Sequence, residues 1–313
     1  MNRFEAMGAF VAVGETGSFT IAAKRLGKPV STVSRTIAAL EAALGAQLLA
    51  RNTRKAVLTD QGREYLGHCR RILADVEEAE AALGRDAHSL SGMVRLTAPT
   101  VFGRMFAAPL TTRFVREHPG VQAELTLTDR IVDLIGEGLD LALRTAALED
   151  SELIARRVGG FHRIMCCAPD YLRAAGPIER LEDLTRHSCL VFTRLRPRAE
   201  WPLADAHGNV RTVQVSGCLA ADNTDALHQA ALDGAGVILT PTWQARADLL
   251  SGRLVPVLPQ YRTPEIPVSV LFPRTRLLSV RVRTMVEAIA AALPEFLGPD
   301  ASQASLAEPA EAA

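Results

Sequence analysis

Ser31, Thr32, Ser34 and Arg35 place three small hydroxyls and one guanidinium within five residues. Hydroxyls of this size let a helix approach base edges closely, and a guanidinium fork suits guanine or phosphate. More cations follow at Arg51, Arg54 and Lys55, and all three lysines (Lys24, Lys28, Lys55) precede Asp60. Up to Asp60 there are eight Lys/Arg against four Asp/Glu, whereas the whole chain sums to zero, so the remainder is net negative. Positive charge is thus concentrated where contact with a polyanion is expected. Bond-breaking chemistry has no comparable cluster: there is no GxSxG, HExxH, Walker loop or GxGxxG opening a helix. Gly234-Ala235-Gly236 lies after a helix pattern and before a strand pattern, the wrong order for a dinucleotide site. No catalytic residue, metal or cofactor is expected.

The elements around those side chains predict how they are held. Residues 2–14 read as a helix with Phe4, Met7, Phe10 and Val11 inward. Ser18, a candidate DNA contact with the residues above, opens a second helix, with Phe19, Ala22, Ala23 and Leu26 inward, which Gly27 ends; Pro29 forces a turn over 27–30. Ser31 is positioned to cap a third helix whose inward face is Val33, Ile37, Leu40 and Leu44, closed by Gly45. Two short helices about a tight turn make a helix-turn-helix, which sets its second helix in the major groove. Arg51, Arg54 and Lys55 fall between Leu48-Leu49 and Val57-Leu58 and read as the tip of a basic wing. Residues 1–59 are therefore expected to be an all-α winged helix-turn-helix that binds double-stranded DNA. The competing reading is a plain helical hairpin with ordinary surface charge.

Thr59 caps a long helix expected from Asp60 to about Ala87, and 60–88 reads as a linker. Tyr65, Cys69, Ile72, Val76, Ala79 and Leu83 form a heptad seam flanked by charge. Such a seam is expected to pair with a second copy; the alternative is a helix packed on its own domain. His88 to Gly92 is a polar break. From there to Leu297 strand and helix patterns alternate, which predicts an α/β domain over 92–297. Its predicted helices include Phe102 to Glu117, Ile131 to Gly136, Asn223 to Asp233, Thr242 to Leu250 and Val280 to Leu297. Its predicted strands include 94–97, 122–128, 139–143, 164–168, 237–240 and 268–272, with a hairpin at Trp201 to Val215. Residues 298–313 are small, polar and Pro-containing, a disordered-tail composition.

At 313 residues the chain is long enough for two or three domains, and 48% hydrophobic with 22% charged residues is ordinary for a soluble protein. Neither an export signal nor an apolar run of membrane-spanning length is legible. Five scattered cysteines suit a reducing cytoplasm. A redox pair of Cys189 with Cys218 and a metal held by His187 and Cys189 are the weaker readings of the same residues, set against buried thiols.

The N-terminal residues closely resemble the LysR-type transcriptional regulators. The matches are Phe10, Gly17-Ser18-Phe19, Ala22-Ala23, Leu26, Val33-Ser34-Arg35, Ile37, Leu40-Glu41, Leu44-Gly45, Leu48, Arg51, Arg54, Leu58-Thr59 and Gly62, without a gap. Leu49-Ala50 departs from the family's usual Phe and charged residue, which puts the seating of the wing in question. Looser matches at 96–104, 129–144, 222–243 and 252–259 carry the resemblance to about Leu297. It implies a two-lobed solute-binding-protein-like effector domain, with lobe 1 at 92–163 and 267–297 and lobe 2 at 164–266. It further implies a pairing linker, a homodimer or a homotetramer built as a dimer of dimers, a small-molecule effector and contact with RNA polymerase.

Three strand-to-helix junctions, at 98–101, 222–224 and 240–242, could present helix N-termini to an anionic or carboxylate-bearing ligand. Candidate contacts are Thr100, at the position resembling the family's effector-contacting one, with Val101, Thr128, Asp129, Arg144, Phe192, Asn223 and Thr242. Each has a plainer reading as a cap or core residue, Asp129 as the N-cap of a helix at 131–136. The leading functional reading is a ligand-responsive transcription regulator on a pseudo-palindromic site. The alternatives are an enzyme with an attached DNA-binding module, or an architectural DNA binder with a vestigial sensor.

Overall fold

The computed structural model describes residues 2–50, 56–81, 90–146, 153–195, 197–274 and 278–298, with the side chains of 75 and 77–81 excepted. The expectations for Arg51, Arg54, Lys55, Leu83, the Ala79 side chain, the 82–89 part of the linker and residues 299–313 lie outside the described residues.

The head is built from α1 (Arg3–Thr16), α2 (Phe19–Arg25), α3 (Val30–Leu44) and the two-stranded ribbon of β1 (Leu49–Ala50) and β2 (Val57–Leu58). Ser18 caps α2, its Oγ accepting from Ile21 N at 3.4 Å. Val33, Ile37 and Leu40 of α3 are buried against Met7, Phe10 and Val13 of α1. Gly45 ends α3 at φ 66°, a left-handed turn that any Cβ would strain. Two sequence expectations fail here. Pro29, not Ser31, precedes the first turn of α3, with Thr32 N and Val33 N donating to the Pro29 carbonyl, so no side chain caps it and Ser31 stays exposed. Phe4 is exposed rather than inward, because Ala6 and Ala9 supply the close α1 contacts in its place. The wing is tied by Glu41, whose Oε1 accepts from Leu48 N at 2.8 Å and Leu49 N at 3.0 Å. Leu49, where the family has Phe, is buried all the same.

Thr59 caps α4 (Asp60–Ala81), its Oγ1 accepting from Gly62 N at 2.9 Å. The seam of this helix is partly used within the chain. Cys69 is fully buried in the head core, and Tyr65 and Ile72 pack against the same cluster, with Tyr65 5.8 Å from the Phe10 ring. Cys69 therefore leaves the set available for self-pairing. A seam on a charged helix can be satisfied by a neighbour within the same chain as well as by a second copy.

Beyond α4 lie two five-stranded mixed sheets. The first holds β3 (Gly92–Ala98), β4 (Val121–Leu127), β5 (Leu141–Arg144), β6 (Leu153–Phe161) and β14 (Ile266–Pro273), in the order β4-β3-β5-β14-β6. The second holds β7 (Arg163–Cys167), β8 (Cys189–Phe192), β11 (Ala220–Ala221), β12 (Val237–Pro241) and β13 (Val255–Val257), in the order β11-β8-β12-β7-β13. A hairpin of β9 (Glu200–Ala204) and β10 (Val210–Gln214) covers the second. On the first sheet lies α5, a continuous helical run of Thr100–Phe102, a π turn Gly103–Ala107 and Ala108–Glu117, together with α9 (Val280–Leu297). The second carries α6 (Pro169–Ala175), α7 (Thr224–Leu232) and α8 (Thr242–Leu250). This is the multidomain α/β class expected, with an all-α head.

Within the sheets, one predicted element is absent, and β6, β11 and β13 have no counterpart among the expected strands. Residues 131–133 are irregular and 134–138 form turns, with no helix, because the Asp133 carboxylate takes Ile135 N at 3.0 Å and offers the backbone a local alternative. Strand β6 was hidden by its Arg156-Arg157 and Gly159-Gly160 pairs, which break the apolar pattern.

Candidate nucleic-acid interface and ligand cleft

On α3 the outward side chains Ser31, Ser34 and Arg35 are exposed and Thr32 half-exposed, while the opposite face is buried. The helix is thus anchored by one stripe and presents the other. No carboxylate pairs with Arg35 among the described residues, leaving its five donors available to an acceptor on a partner. Ser18 is committed to its cap, so its hydroxyl serves α2 before any ligand.

The head also meets the first sheet. Glu15 receives Arg25 of α2 at 2.9 Å, Arg70 of α4 at 3.2 Å and Arg95 of β3 at 3.5 Å. Gly67 of α4 passes so close to the turn after β4 that a Cβ there would collide with the Ile135 carbonyl oxygen. A side chain at 67 is excluded by the approach, and this junction had no sequence signal beyond the glycine itself.

The chain crosses between the sheets twice, at His162 and at 262–265. The crossings are stitched together: Arg163 N donates to Thr263 Oγ1 at 2.9 Å, Thr263 N donates to the Arg163 carbonyl at 3.0 Å, and His162 Nδ1 lies 2.8 Å from the Thr263 carbonyl. A cleft of about 650 Å³ opens between the two halves beside this hinge. Its floor is aromatic, with Trp243 5.5 Å from Phe102 and 5.8 Å from Phe161, both edge-on, so that one ring of α8 binds the two halves together. Across another part of the gap, Arg104 makes a forked pair with Asp225 at 2.9–3.2 Å, and Gln244 Nε2 donates to the same carboxylate at 3.2 Å.

Of the predicted contacts, Val101, Thr128, Asp129, Arg144 and Phe192 line the cleft. Thr100, Asn223 and Thr242 do not; their neighbours Pro99, Thr224 and Pro241 take those places. The reason is local. Asn223 spends its side chain as the N-cap of α7, accepting from Asp225 N at 2.9 Å and Ala226 N at 3.1 Å. Thr100 donates its backbone N–H to Asp129 Oδ1 at 3.1 Å, and Thr242 donates its own to the His162 carbonyl at 3.2 Å. Asp129 therefore caps α5 across the rim, not a helix of its own. Sequence reasoning missed Phe102, Phe161, Arg163 and Trp243, which reach the cleft only through the tertiary fold.

Electrostatically the cleft is cationic, lined by Arg130, Arg144, Arg163 and Arg194 against Asp129. Burial lowers the Arg144 guanidinium from its ordinary range, with Asp129 and then Glu137 opposing that shift. Its Nη1 donates to the Leu143 carbonyl at 2.9 Å, while its buried Nη2 meets no acceptor among the described residues. The indole Nε1 of Trp243 is likewise buried without an acceptor there. Buried donors of this kind cost about 1–3 kcal/mol each until something accepts from them.

The cysteines take no part. Cys189 is buried and its thiol is pushed up to about 12 by desolvation, so it forms no thiolate near neutral pH to react with the exposed Cys218. His187 Nδ1 lies 3.1 Å from the Tyr171 hydroxyl, which gives it a structural partner in place of a metal.

Comparison with known proteins agrees with both ends of the molecule. Residues 4–63 match the model of the bacterial regulatory helix-turn-helix protein, lysR family, and residues 87–294 match that of the LysR substrate binding domain. The chain is 37% identical over 281 residues to the HTH-type transcriptional regulator PtxR of Pseudomonas aeruginosa, covering 90% of each. It is 34% identical to the uncharacterized HTH-type transcriptional regulator YhjC of Escherichia coli, over 95% of this chain and 100% of the other. Among solved structures it is similar to CrgA of Neisseria meningitidis, with a TM-score of 0.60 and 29% identity over 94% of this chain and 99% of that one.

Proposed function

The chain belongs to the LysR-type transcriptional regulators, and we propose that it binds a pseudo-palindromic promoter site as a homo-oligomer and responds to a small anionic metabolite held in the interlobe cleft. In this reading 1–59 is the DNA-reading head, 60–88 the linker and 92–297 the sensor. Lobe 1 is 92–163 with 267–297, and lobe 2 is 164–266. Self-pairing would fall to the part of the α4 seam from Val76 onward, since Cys69 is consumed within the chain. A homodimer, or a tetramer built from two, would then span half-sites about one helical turn apart or a multiple of it. Contact with RNA polymerase belongs to the same proposal.

The observation that carries the anionic ligand is the buried, acceptor-less Nη2 of Arg144 in a cleft lined from both lobes. A carboxylate would satisfy it, and a ligand touching both lobes binds their relative arrangements unequally, as a switch requires. Trp243 and Pro241 from one side and Val101 and Thr128 from the other provide that double contact. The α8 N-terminus beside Pro241, which no side chain caps, favours the same sign of charge.

Thermal-shift screening of the full chain against a panel of small carboxylic acids and their amides tests this. At least one acid should raise the unfolding midpoint, by roughly 2.7 kcal/mol of stabilisation at a hundredfold excess over its Kd. Arg144→Met should abolish most of that gain. A panel in which amides stabilise as well as acids would contradict an anionic effector.

A further inference from the structure

We infer that the junction of the linker helix with lobe 1 holds a second ligand, one small tetrahedral oxyanion of the inorganic phosphate type, gripped by Arg71 with Arg70, Arg95 and Arg281. The site is separate from the interlobe cleft and does not depend on what fills it. A cavity of about 60 Å³ lies where α4, the start of β3, the turn after β4 and the first turn of α9 meet. A single water needs about 10–15 Å³ of such space. The cavity therefore has room for roughly four water-sized groups. That is the bulk of one tetrahedral ion with its four oxygens, and too little for a nucleotide.

The walls are cationic. Arg70 and Arg71 of α4, Arg95 of β3 and Arg281 of α9 line the cavity, and Asp140 is the one carboxylate that does so among the described residues. Part of this charge is already answered. Glu15 takes Arg25, Arg70 and Arg95 together, so one carboxylate serves three guanidiniums, and Glu124 gives Arg95 a second partner at 3.1 Å. Asp140 directs its Oδ2 to the backbone N–H of Arg95 at 2.7 Å. Arg71 shares in none of this. It is half-buried, its Nη2 lies 3.0 Å from His68 Nδ1, and no carboxylate pairs with it among the described residues. Arg281 is 6% exposed and donates its Nε to the Met93 carbonyl at 3.1 Å, which holds its guanidinium at the wall.

Like charges gathered in a half-buried space repel, and solvent screens them less there than at the surface. A multiply charged oxyanion relieves that repulsion, and guanidinium forks match its oxygens in pairs. The N-terminal turn of α9, opening at Ser279 on the same wall, adds partial positive charge. Arg70 and Arg71 belong to the linker, Arg95 and Arg281 to lobe 1. An ion shared among them ties the two together where Gly67 already passes against the Ile135 carbonyl.

The test is hydrogen exchange and isothermal titration of the full chain in sodium phosphate, against sodium chloride matched for ionic strength. The amides of Glu137 and Leu139, bonded within the turn at the cavity to the Asp133 and Leu134 carbonyls, report on the junction. They should exchange about tenfold more slowly at ten times the Kd of phosphate. Sulfate should act likewise, and acetate should bind at least tenfold more weakly. Arg71→Gln should weaken phosphate by about tenfold or more, and Arg71→Lys, which keeps the charge without the fork, should lose less. Should the glutamine variant fail to fold, Arg71→Lys decides by binding phosphate more weakly than the parent. Arg144→Met in the cleft and Arg35→Ala on the DNA-reading face should bind phosphate as the parent does. Protection by chloride equal to that by phosphate, or full phosphate affinity in the Arg71 variants, would overturn the inference. Loss of phosphate binding in Arg144→Met or Arg35→Ala would overturn it too, by placing the ion in the cleft or on the head.

Discussion

Arg35→Ala should lower affinity for the protein's own operator by about 10- to 100-fold while lowering affinity for random duplex only a few-fold. The asymmetry follows from where the side chain sits. Arg35 is exposed on the open face of α3, free of ion pairs among the described residues, while Val33 and Ile37 on the other face lock the helix to α1. A guanidinium held so is free to make a forked contact with a guanine edge. Phosphate contacts by other cations survive its removal and sustain non-specific binding. Fluorescence anisotropy at fixed salt, with operator and scrambled duplexes side by side, gives both constants. Equal losses on the two would mean that Arg35 touches only the backbone of the DNA.

Gly67→Val should separate the linker helix from lobe 1. The collision with the Ile135 carbonyl is with backbone, which cannot swing aside as a side-chain tip can. Overpacking of this kind costs about 2–3 kcal/mol, enough to speed hydrogen exchange in the neighbouring turn by roughly 30- to 160-fold. The amides to follow are Glu137, which donates to the Asp133 carbonyl, and Leu139, which donates to the Leu134 carbonyl. The same strand that carries Arg95 to Glu15 at the head ends, at Ala98, where the cleft begins. Ligand affinity should therefore persist in Gly67→Val while the ligand's effect on DNA binding fades. Unchanged exchange at Glu137 and Leu139 would show that the junction bears no such load.

Local chemistry made some of these elements readable before any fold was known, and its limits explain the rest. Thr242–Leu250 and Val280–Leu297 stand where their patterns put them, because Pro241 and Ser279 mark their starts and no local competitor intrudes. The 131–136 segment has a helix-like apolar spacing, yet Ile131 is almost wholly exposed and Leu134 is buried under α4, so the spacing served a turn. Ser31 looks like a cap because capping serines are common; here a proline with an extended backbone holds the N-cap position, and no side chain caps the helix. In the cleft, Val101, Thr128, Asp129, Arg144 and Phe192 lay on strand ends and junctions that a sequence pattern can locate. Arg163 and Trp243 could not be found that way. An arginine opening a strand reads as surface, and only the crossing of the chain at the hinge brings it to the cleft wall.

The central claim is that occupancy of the cleft changes how a pair of heads sits on DNA. Hydroxyl-radical footprinting of the full-length protein on a duplex it selects from a random pool tests this most directly, with and without whichever acid the thermal-shift panel identifies. Two protected patches about ten base pairs apart, or a multiple of that, are predicted, with the spacing or the cleavage pattern between them altered by the acid. A footprint that the acid leaves unchanged at saturation, or a single isolated patch, would contradict the account.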